Sequence, residues 1–374
     1  MTRTLVVTND YPPRLGGIQS FVAGVLDQLD PAGIVVYAST SEGWQAHDAT
    51  ARYEVVRAGT AMLLPSRRRT AEAVALLRRH RCDSVWFGAA APLGLMAPAL
   101  RAAGARRIVA TTHGHEVGWA ALPGARGILR RIGREVDVLT YLGAYTRHRL
   151  ARALPAGVRL EQLTPGVDVD LFRPDVDGRA VRTRHGLGDR PVVVCVSRLV
   201  PRKGQDTLIR AWPRVLEAVP DAVLLLVGGG PYADRLHRLA AGTGVAGSVV
   251  MAGGVAWPDL PAHFAAGDIF AMPCRTRRRG FDVEGLGIVY LEASATGLPV
   301  VAGRSGGAPD AVLDGRTGLV VDGTSAHETA AALVALLSDR PRAAAMGAAG
   351  RAWVEADWRW GQIADRLHGW LTEP

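Results

Sequence analysis

Residues 192–204 read Val192-Val193-Val194-Cys195-Val196-Ser197-Arg198-Leu199-Val200-Pro201-Arg202-Lys203-Gly204, and Gln205–Ala218 follows. The opening run is apolar, mostly β-branched and short, which suits a strand covered on both faces. Pro201 and Gly204 punctuate a loop, and a helix is predicted over Gln205–Ala218. Strand, loop and helix make one βα unit, and the pattern recurs along the whole chain. Upstream, strands are predicted at Thr4–Thr8, Ile34–Ala38, Tyr53–Arg57, Ser84–Phe87, Arg107–Thr112 and Val136–Thr140. The second series is Val192–Ser197, Ala222–Val227, Ser248–Ala252, Ile269–Met272, Val300–Ala302 and Leu319–Val321. Alternation of this kind means parallel sheets with helices on both faces. The expected fold is therefore α/β, with two Rossmann-like, doubly wound domains in series.

The domains should meet near Thr164–Pro174, a segment with two prolines and no periodicity. That gives domains at 1–166 and 167–352. One long last helix is expected over Arg340–Leu371. Its Trp353, Trp358, Trp360 and Trp370 suggest that 353–374 packs back on the first domain.

Of 374 residues, 48% are hydrophobic and 21% charged, which excludes a disordered chain and supplies a core for each domain. Cys82, Cys195 and Cys274 lie far apart, so neither disulfides nor a cysteine zinc site is expected, and a reducing compartment fits. The first apolar stretch is too short for a signal peptide. The longest uncharged stretch, Ser84 to Leu100, falls short of the ~20 residues of a spanning helix and is interrupted by glycine and proline.

Charge is unevenly distributed. Residues 1–165 hold 21 basic and 12 acidic side chains, whereas 166–374 hold 23 of each, so the whole net charge of +9 sits in the first half. Such a half suits an anionic lipid surface or an anionic substrate. Nucleic acid fits poorly, because no finger spacing or aromatic RNA-binding segment is present. Forty-three of the basic residues are Arg and one, Lys203, is Lys; Asn9 is the single Asn. Where Arg replaces Lys everywhere else, a surviving lysine stands out.

Ligands of open parallel sheets lie beyond the carboxyl ends of the strands. After the first strand come Asn9-Asp10 and then Gly16-Gly17 before a helix, a place where backbone can approach an anion. After the fifth come His113-Gly114-His115-Glu116. His113 suits a contact to a substrate hydroxyl, with a structural histidine or a metal cluster as the other readings. Arg198 and Lys203 can converge on a diphosphate. The densest segment is Arg278-Arg279-Gly280-Phe281-Asp282-Val283-Glu284-Gly285-Leu286-Gly287-Ile288-Val289-Tyr290-Leu291-Glu292-Ala293. Its N–H groups from Gly285 to Val289 favour phosphate, while Glu284 and Glu292 suit sugar hydroxyls. A further Gly-rich turn, Gly303–Asp310, is expected to form a second backbone cradle.

Together these segments resemble the retaining nucleotide-sugar glycosyltransferases of the GT-B fold, whose two domains face a cleft. The pattern is Glu284…Glu292, Arg198/Lys203, Gly16-Gly17 and His113, in order over nearly the full chain. The segments THGHEVGW, EVDVLTY, TPGVD, DVEGLGIVYLEA and SGGAP look closer still to actinobacterial mannosyltransferases that build phosphatidylinositol mannosides from GDP-mannose. The resemblance implies that Arg198 and Lys203 neutralise the diphosphate, helped by the helix N-terminus at Gly287, Ile288 and Val289. It further implies that Glu292 holds the ribose, Glu284 and His113 the transferred sugar, and backbone near Val255 the base. Asp10, Gly16 and Gly17 would lie where the acceptor meets the phosphates. No protein nucleophile and no divalent metal are expected in such a family. Asp168-Val169-Asp170 spells a D-x-D but falls in the interdomain linker.

Arg67, Arg68 and Arg69, and the arginines of 124–134, mark candidate basic helices for an anionic bilayer. The expected location is the inner face of the plasma membrane, peripherally bound, with no obligate protein partner. Other readings are a transferase for another sugar nucleotide or acceptor, a sugar-nucleotide epimerase, or a non-enzymatic membrane or nucleotide binder. A dehydrogenase would want G-x-G-x-x-G and an acidic residue ~20 positions on, and Asn9–Gln19 supplies neither.

Overall fold

Apolar runs of four or five residues build two parallel β-sheets, and each sheet belongs to its own packing unit. The computed structural model describes residues 2–373, apart from the side chain of Arg279. In the first unit β1 (Thr4–Thr8), β2 (Ile34–Ala38), β3 (Glu54–Arg57), β4 (Ser84–Phe87), β5 (Arg107–Ala110), β6 (Val138–Tyr141) and β7 (Leu160–Gln162) run in the order β3-β2-β1-β4-β5-β6-β7. In the second, β8 (Val192–Val196), β9 (Val223–Val227), β10 (Val249–Gly253), β11 (Ile269–Met272), β12 (Val300–Gly303) and β13 (Gly318–Val321) run β10-β9-β8-β11-β12-β13. Strand order therefore reverses between β1 and β4 in one sheet and between β8 and β11 in the other. Those reversals open the crevices where ligands of such sheets bind.

Register follows from burial on both faces. Val6 pairs with Val36 and Trp86, and Val194 with Leu225 and Phe270, all inside the core. Leu5 and Val7 face one layer of the first unit, which includes Leu76, Leu100, Leu129 and Ile132. Val6, pointing the other way, joins Phe21, Val36, Trp86 and Val109. That second layer is closed by Ile363, Ala364, Leu367 and Leu371 from the end of the chain. The edge strand β7 has three half-buried residues, among them Glu161, and so lacks the apolar run that marks the other strands.

The last helix is two helices, Arg340–Asp357 and Trp360–Thr372, and not the single one expected. Helical pattern continues across the break, so the break is tertiary. Trp358 is 6% exposed and packs edge-to-face on Trp353, with ring centroids 5.2 Å apart. Its carbonyl accepts the Val167 N–H at 2.7 Å, which ties this turn to the start of the second unit. Trp360 instead belongs to the first unit, where its ring fills the space left by Gly24 and Gly166. The units defined by packing are thus the residues up to Gly166 with those from Trp360 onward, and Val167–Arg359. Residues 353–359 lie in the second unit, whereas the sequence division at 352 gives them to the returning segment. At the far end Glu373 joins Arg107 and Arg159, the latter at 2.5 Å, and pins the final helix beside the starts of β5 and β7.

A Cβ on Gly166 would lie 2.6 Å from the Trp360 Cα, a contact with backbone that cannot rotate away. Gly166→Ala is expected to cost about 1–3 kcal/mol. Urea unfolding followed by tryptophan fluorescence should show a lower midpoint.

Candidate active site

Two loops meet at the crevice of the second sheet. One, Ser197–Gly204, follows β8; the other, Pro273–Gly287, follows β11. Gly204 has φ 80, a left-handed conformation suited to glycine, and a Cβ there would strike the Pro273 carbonyl. The Arg275 N–H donates to the Arg202 carbonyl at 2.8 Å, so the two loops are joined through backbone. This contact presents Arg202 and Lys203 to Glu284. Its carboxylate, in a residue 6% exposed, accepts from Arg202 Nη1 at 2.5 Å and from Lys203 Nζ at 2.7 Å. Burial is affordable for this carboxylate because two cations satisfy it. Arg202 also meets Asp282 through Nε at 3.3 Å, so the two cations are shared between two carboxylates of this loop.

The Gly303–Asp310 segment supports Glu284 from behind. The Gly307 N–H donates to the Glu284 carbonyl at 2.9 Å, and the Glu284 N–H donates to Ser305 Oγ at 3.4 Å. Gly306 and Gly307 leave no room for a Cβ against the carbonyls of Glu284 and Gly285. This turn therefore cradles the Glu284 loop, where the sequence suggested a second ligand cradle.

Beyond Glu284 the chain enters the helix Ile288–Ala295 through Gly287, at φ 82. The N–H groups of Gly285, Leu286, Gly287, Ile288 and Val289 donate to no acceptor among the described residues. Adjacent donors left open at a helix N-terminus are of the kind that suit an anion. Glu292, further along the same helix, has no ion-pair or hydrogen-bond partner for its carboxylate among the described residues, and burial pushes its carboxyl up to about 7. Arg198 is exposed and lines a cavity of about 340 Å³ with Arg202, Arg277, Arg278, Phe281 and Asp282. It is not among the ion-pair partners of Glu284. Val255 lies just past β10, two strands from β8.

The first unit places a second group of candidates after β1, β4 and β5. His113 Nε2–H donates to the Gly88 carbonyl at 2.6 Å, and its ring meets Phe21 edge-on at 5.2 Å. Burial pushes the imidazole down to about 4. The ring is therefore neutral near pH 7, and with Nε2 protonated, Nδ1 remains as an acceptor. Asp10 Oδ1 accepts from Gln19 Nε2 at 2.8 Å, and burial raises its carboxyl against the pull of Arg14 and His115. Gly16 and Gly17 are exposed at the start of the helix Gly17–Leu26, with open space where a Gly17 Cβ would be.

Asn9 has a backbone role. Its amide donates to the Leu63 carbonyl at 2.8 Å and accepts the Leu63 N–H at 2.5 Å. Arg69 is bound to Glu72 at 2.7 Å, and Glu72 also accepts from the Tyr37 hydroxyl at 2.5 Å. Arg68 meets the same carboxylate at 3.1 Å while its side chain stays 78% exposed, and Arg67 is exposed. Glu116 turns inward to accept the His113 N–H at 2.9 Å, with His115 Nε2 at 3.2 Å. No group of three or more potential metal ligands is assembled among the described residues.

The chain matches the model of Glycosyl transferases group 1 over residues 179–353 and that of Glycosyltransferase Family 4 over 15–171. It is 56% identical to a GDP-mannose-dependent alpha-(1-6)-phosphatidylinositol monomannoside mannosyltransferase of Mycolicibacterium smegmatis, over 97% of this chain and 96% of that one. A monoacylated-acceptor counterpart from Corynebacterium glutamicum is 53% identical over 100% of this chain and 98% of its own. The chain belongs to the phosphatidylinositol mannoside mannosyltransferase family. Its fold is GT-B: the crystal structure of Anabaena HepE in complex with UDP superposes with a TM-score of 0.84 at 20% identity, covering 99% of this chain and 100% of that one.

For this mannosyltransferase family member, sequence reasoning missed Arg202 and Glu116. Arg202 neighbours the conspicuous Lys203 but is one of many arginines. Glu116 reads as a helix-start carboxylate until its burial is seen.

Hydroxyl donors bound to Glu292 would favour its ionised form, so its carboxyl should fall below about 7 when a ribose is seated. GDP binding near pH 7 is then expected to release a proton, and affinity should rise as pH increases through that range. Calorimetry in buffers of different ionisation enthalpy measures the release, and Glu292→Gln should abolish it.

Proposed function

We propose that the chain transfers mannose from GDP-mannose to a phosphatidylinositol monomannoside acceptor, with retention at the anomeric carbon. The carrying observation is the buried Glu284 held by Arg202 and Lys203 beside five consecutive undirected N–H donors. In this reading the donors of Gly285–Val289 take the diphosphate, with Lys203 and the exposed Arg198 adding charge. As the glycosidic bond breaks, negative charge grows on the departing GDP, and fixed donors stabilise it without reorganising. Lys203 spans both roles, since it neutralises phosphate while orienting Glu284. Glu284 keeps an oxygen for a hydroxyl of the transferred sugar, Glu292 accepts from the ribose, and backbone near Val255 meets the base. His113 offers Nδ1 to a sugar hydroxyl. Asp10, with Gly16 and Gly17, receives the acceptor. No metal is assigned a role, because cations and N–H groups carry the phosphate charge.

The acceptor is a lipid, so we place the enzyme peripherally at the inner face of the plasma membrane. Met62 and Leu64 are 63% and 51% exposed, and they precede Arg67 and Arg68. Apolar side chains next to cations suit an anionic bilayer surface. Among the described residues no helix is long and apolar enough to cross a membrane.

Lys203→Ala and Glu284→Ala are each expected to lower kcat on the order of 100-fold or more with GDP-mannose and the lipid acceptor. Activity at the wild-type level would refute the roles given to both. Production of an epimerised sugar nucleotide without glycolipid would overturn the transferase reading. Thermal-shift ranking should place GDP above UDP and ADP, since the nucleotide that binds the folded state most tightly stabilises it most.

A further inference from the structure

In the first unit the helices Pro123–Glu135 and Ala144–Ala153 carry seven arginines and one carboxylate, that of Glu135. Three of the arginines surround one recess. Arg126 from the first helix and Arg149 and Arg152 from the second line a cavity of about 120 Å³, whose remaining wall includes Val117, Ala120 and Ala153. All three are exposed, and none has an acidic partner among the described residues. Arg149 is steadied by the Tyr145 ring, 5.5 Å from its centroid. Glu116, at the start of the helix whose Val117, Ala120 and Ala121 line the recess, is engaged with the His113 N–H and His115.

Three guanidinium groups around one recess repel each other unless an anion is shared between them. Their planar forks match the oxygens of a phosphate, and the recess is of a size for one such group and not for a nucleotide. The rest of its lining is apolar, with Val117, Ala120, Ala121 and Ala153, and Leu122, which follows Ala121 in the chain, is 58% exposed. A phosphate joined to hydrocarbon satisfies both features, whereas a free phosphate would leave these apolar groups in water. We propose that the recess among Arg126, Arg149 and Arg152 binds the headgroup phosphate of an anionic phospholipid that anchors the first unit to the bilayer. This lipid is separate from the acceptor at Asp10, and the inference rests on the reading that the enzyme works at a membrane.

The test uses the full chain and vesicles of phosphatidylcholine with or without phosphatidylinositol, measured by co-sedimentation. The recess variant R126Q/R149Q/R152Q is compared with R130Q/R131Q/R147Q, which removes equal charge from the same two helices outside the recess. Matching thermal unfolding without lipid checks that both are folded. The recess variant should lose affinity for phosphatidylinositol vesicles on the order of 100-fold, and the control variant at least tenfold less than that, about 10-fold. Equal losses in the two variants would make the effect diffuse charge and overturn the site. Wild-type affinity in the recess variant would overturn it while leaving the membrane reading in place. Failure of the wild-type chain to bind either vesicle would remove both. Inorganic phosphate seen by calorimetry in the wild-type chain but not in the recess variant, with unchanged vesicle binding, would overturn the lipid assignment.

Discussion

A carboxylate in a nearly closed site needs cations, and the Glu284 cluster shows how much backbone is committed to supplying them. Arg202 and Lys203 reach Glu284 because Gly204 turns the chain and the Arg275 N–H holds the Arg202 carbonyl. Glu284 stays in place because Ser305 and Gly307 grip its backbone. Loops from β8, β11 and β12 are thereby fastened into one piece. The same fastening leaves the N–H groups of Gly285 to Val289 with no acceptor among the described residues. Rigid donors cost nothing to orient when charge develops, which is the physical advantage of building the donor site this way.

Much of this was readable beforehand, and the reasons are local. The central strands announce themselves because burial on both faces forces uninterrupted apolar runs. β7 has no such run and carries Glu161, so nothing in its letters separates it from a loop. The break at Trp358–Arg359 is invisible for another reason: helical propensity is continuous there, and tertiary packing overrides it. Within the site, Lys203 and Glu284 stand out by rarity and by glycine context. Arg202 is hidden among the other arginines, while Asn9, conspicuous for being alone, turns out to clamp the Leu63 backbone. The Gly303–Asp310 turn was legible as a cradle, but what it cradles is protein. Distinguishing the two requires knowing which backbone lies opposite, a long-range fact.

The charge asymmetry has also gained detail. An excess of arginine in the first half is uninformative until the partnered cations are set aside. Arg57 is satisfied by Asp48, Arg69 by Glu72, Arg101 by Asp137, and Arg107 with Arg159 by Glu373. Of the first-half arginines with no acidic partner among the described residues, seven lie on the two helices of 123–153, and Arg67, Arg78, Arg79 and Arg81 lie on or beside the helix Arg67–Arg79. The surplus is thus a local surface property, and a protein with the same net charge differently paired would not present it.

The return of the chain to its first unit imposes an order on synthesis. One face of the first sheet, with Val6, Val36, Trp86 and Val109, is covered by residues beyond Trp360. During translation those residues emerge after every strand of the second unit. The second unit is one continuous stretch and can close as soon as it leaves the ribosome, whereas the first must carry an uncovered apolar layer through most of elongation. Such a layer is a hazard for aggregation. The nascent chain therefore spends its longest exposed interval with its earliest-made half incomplete, and chaperones have most to protect there.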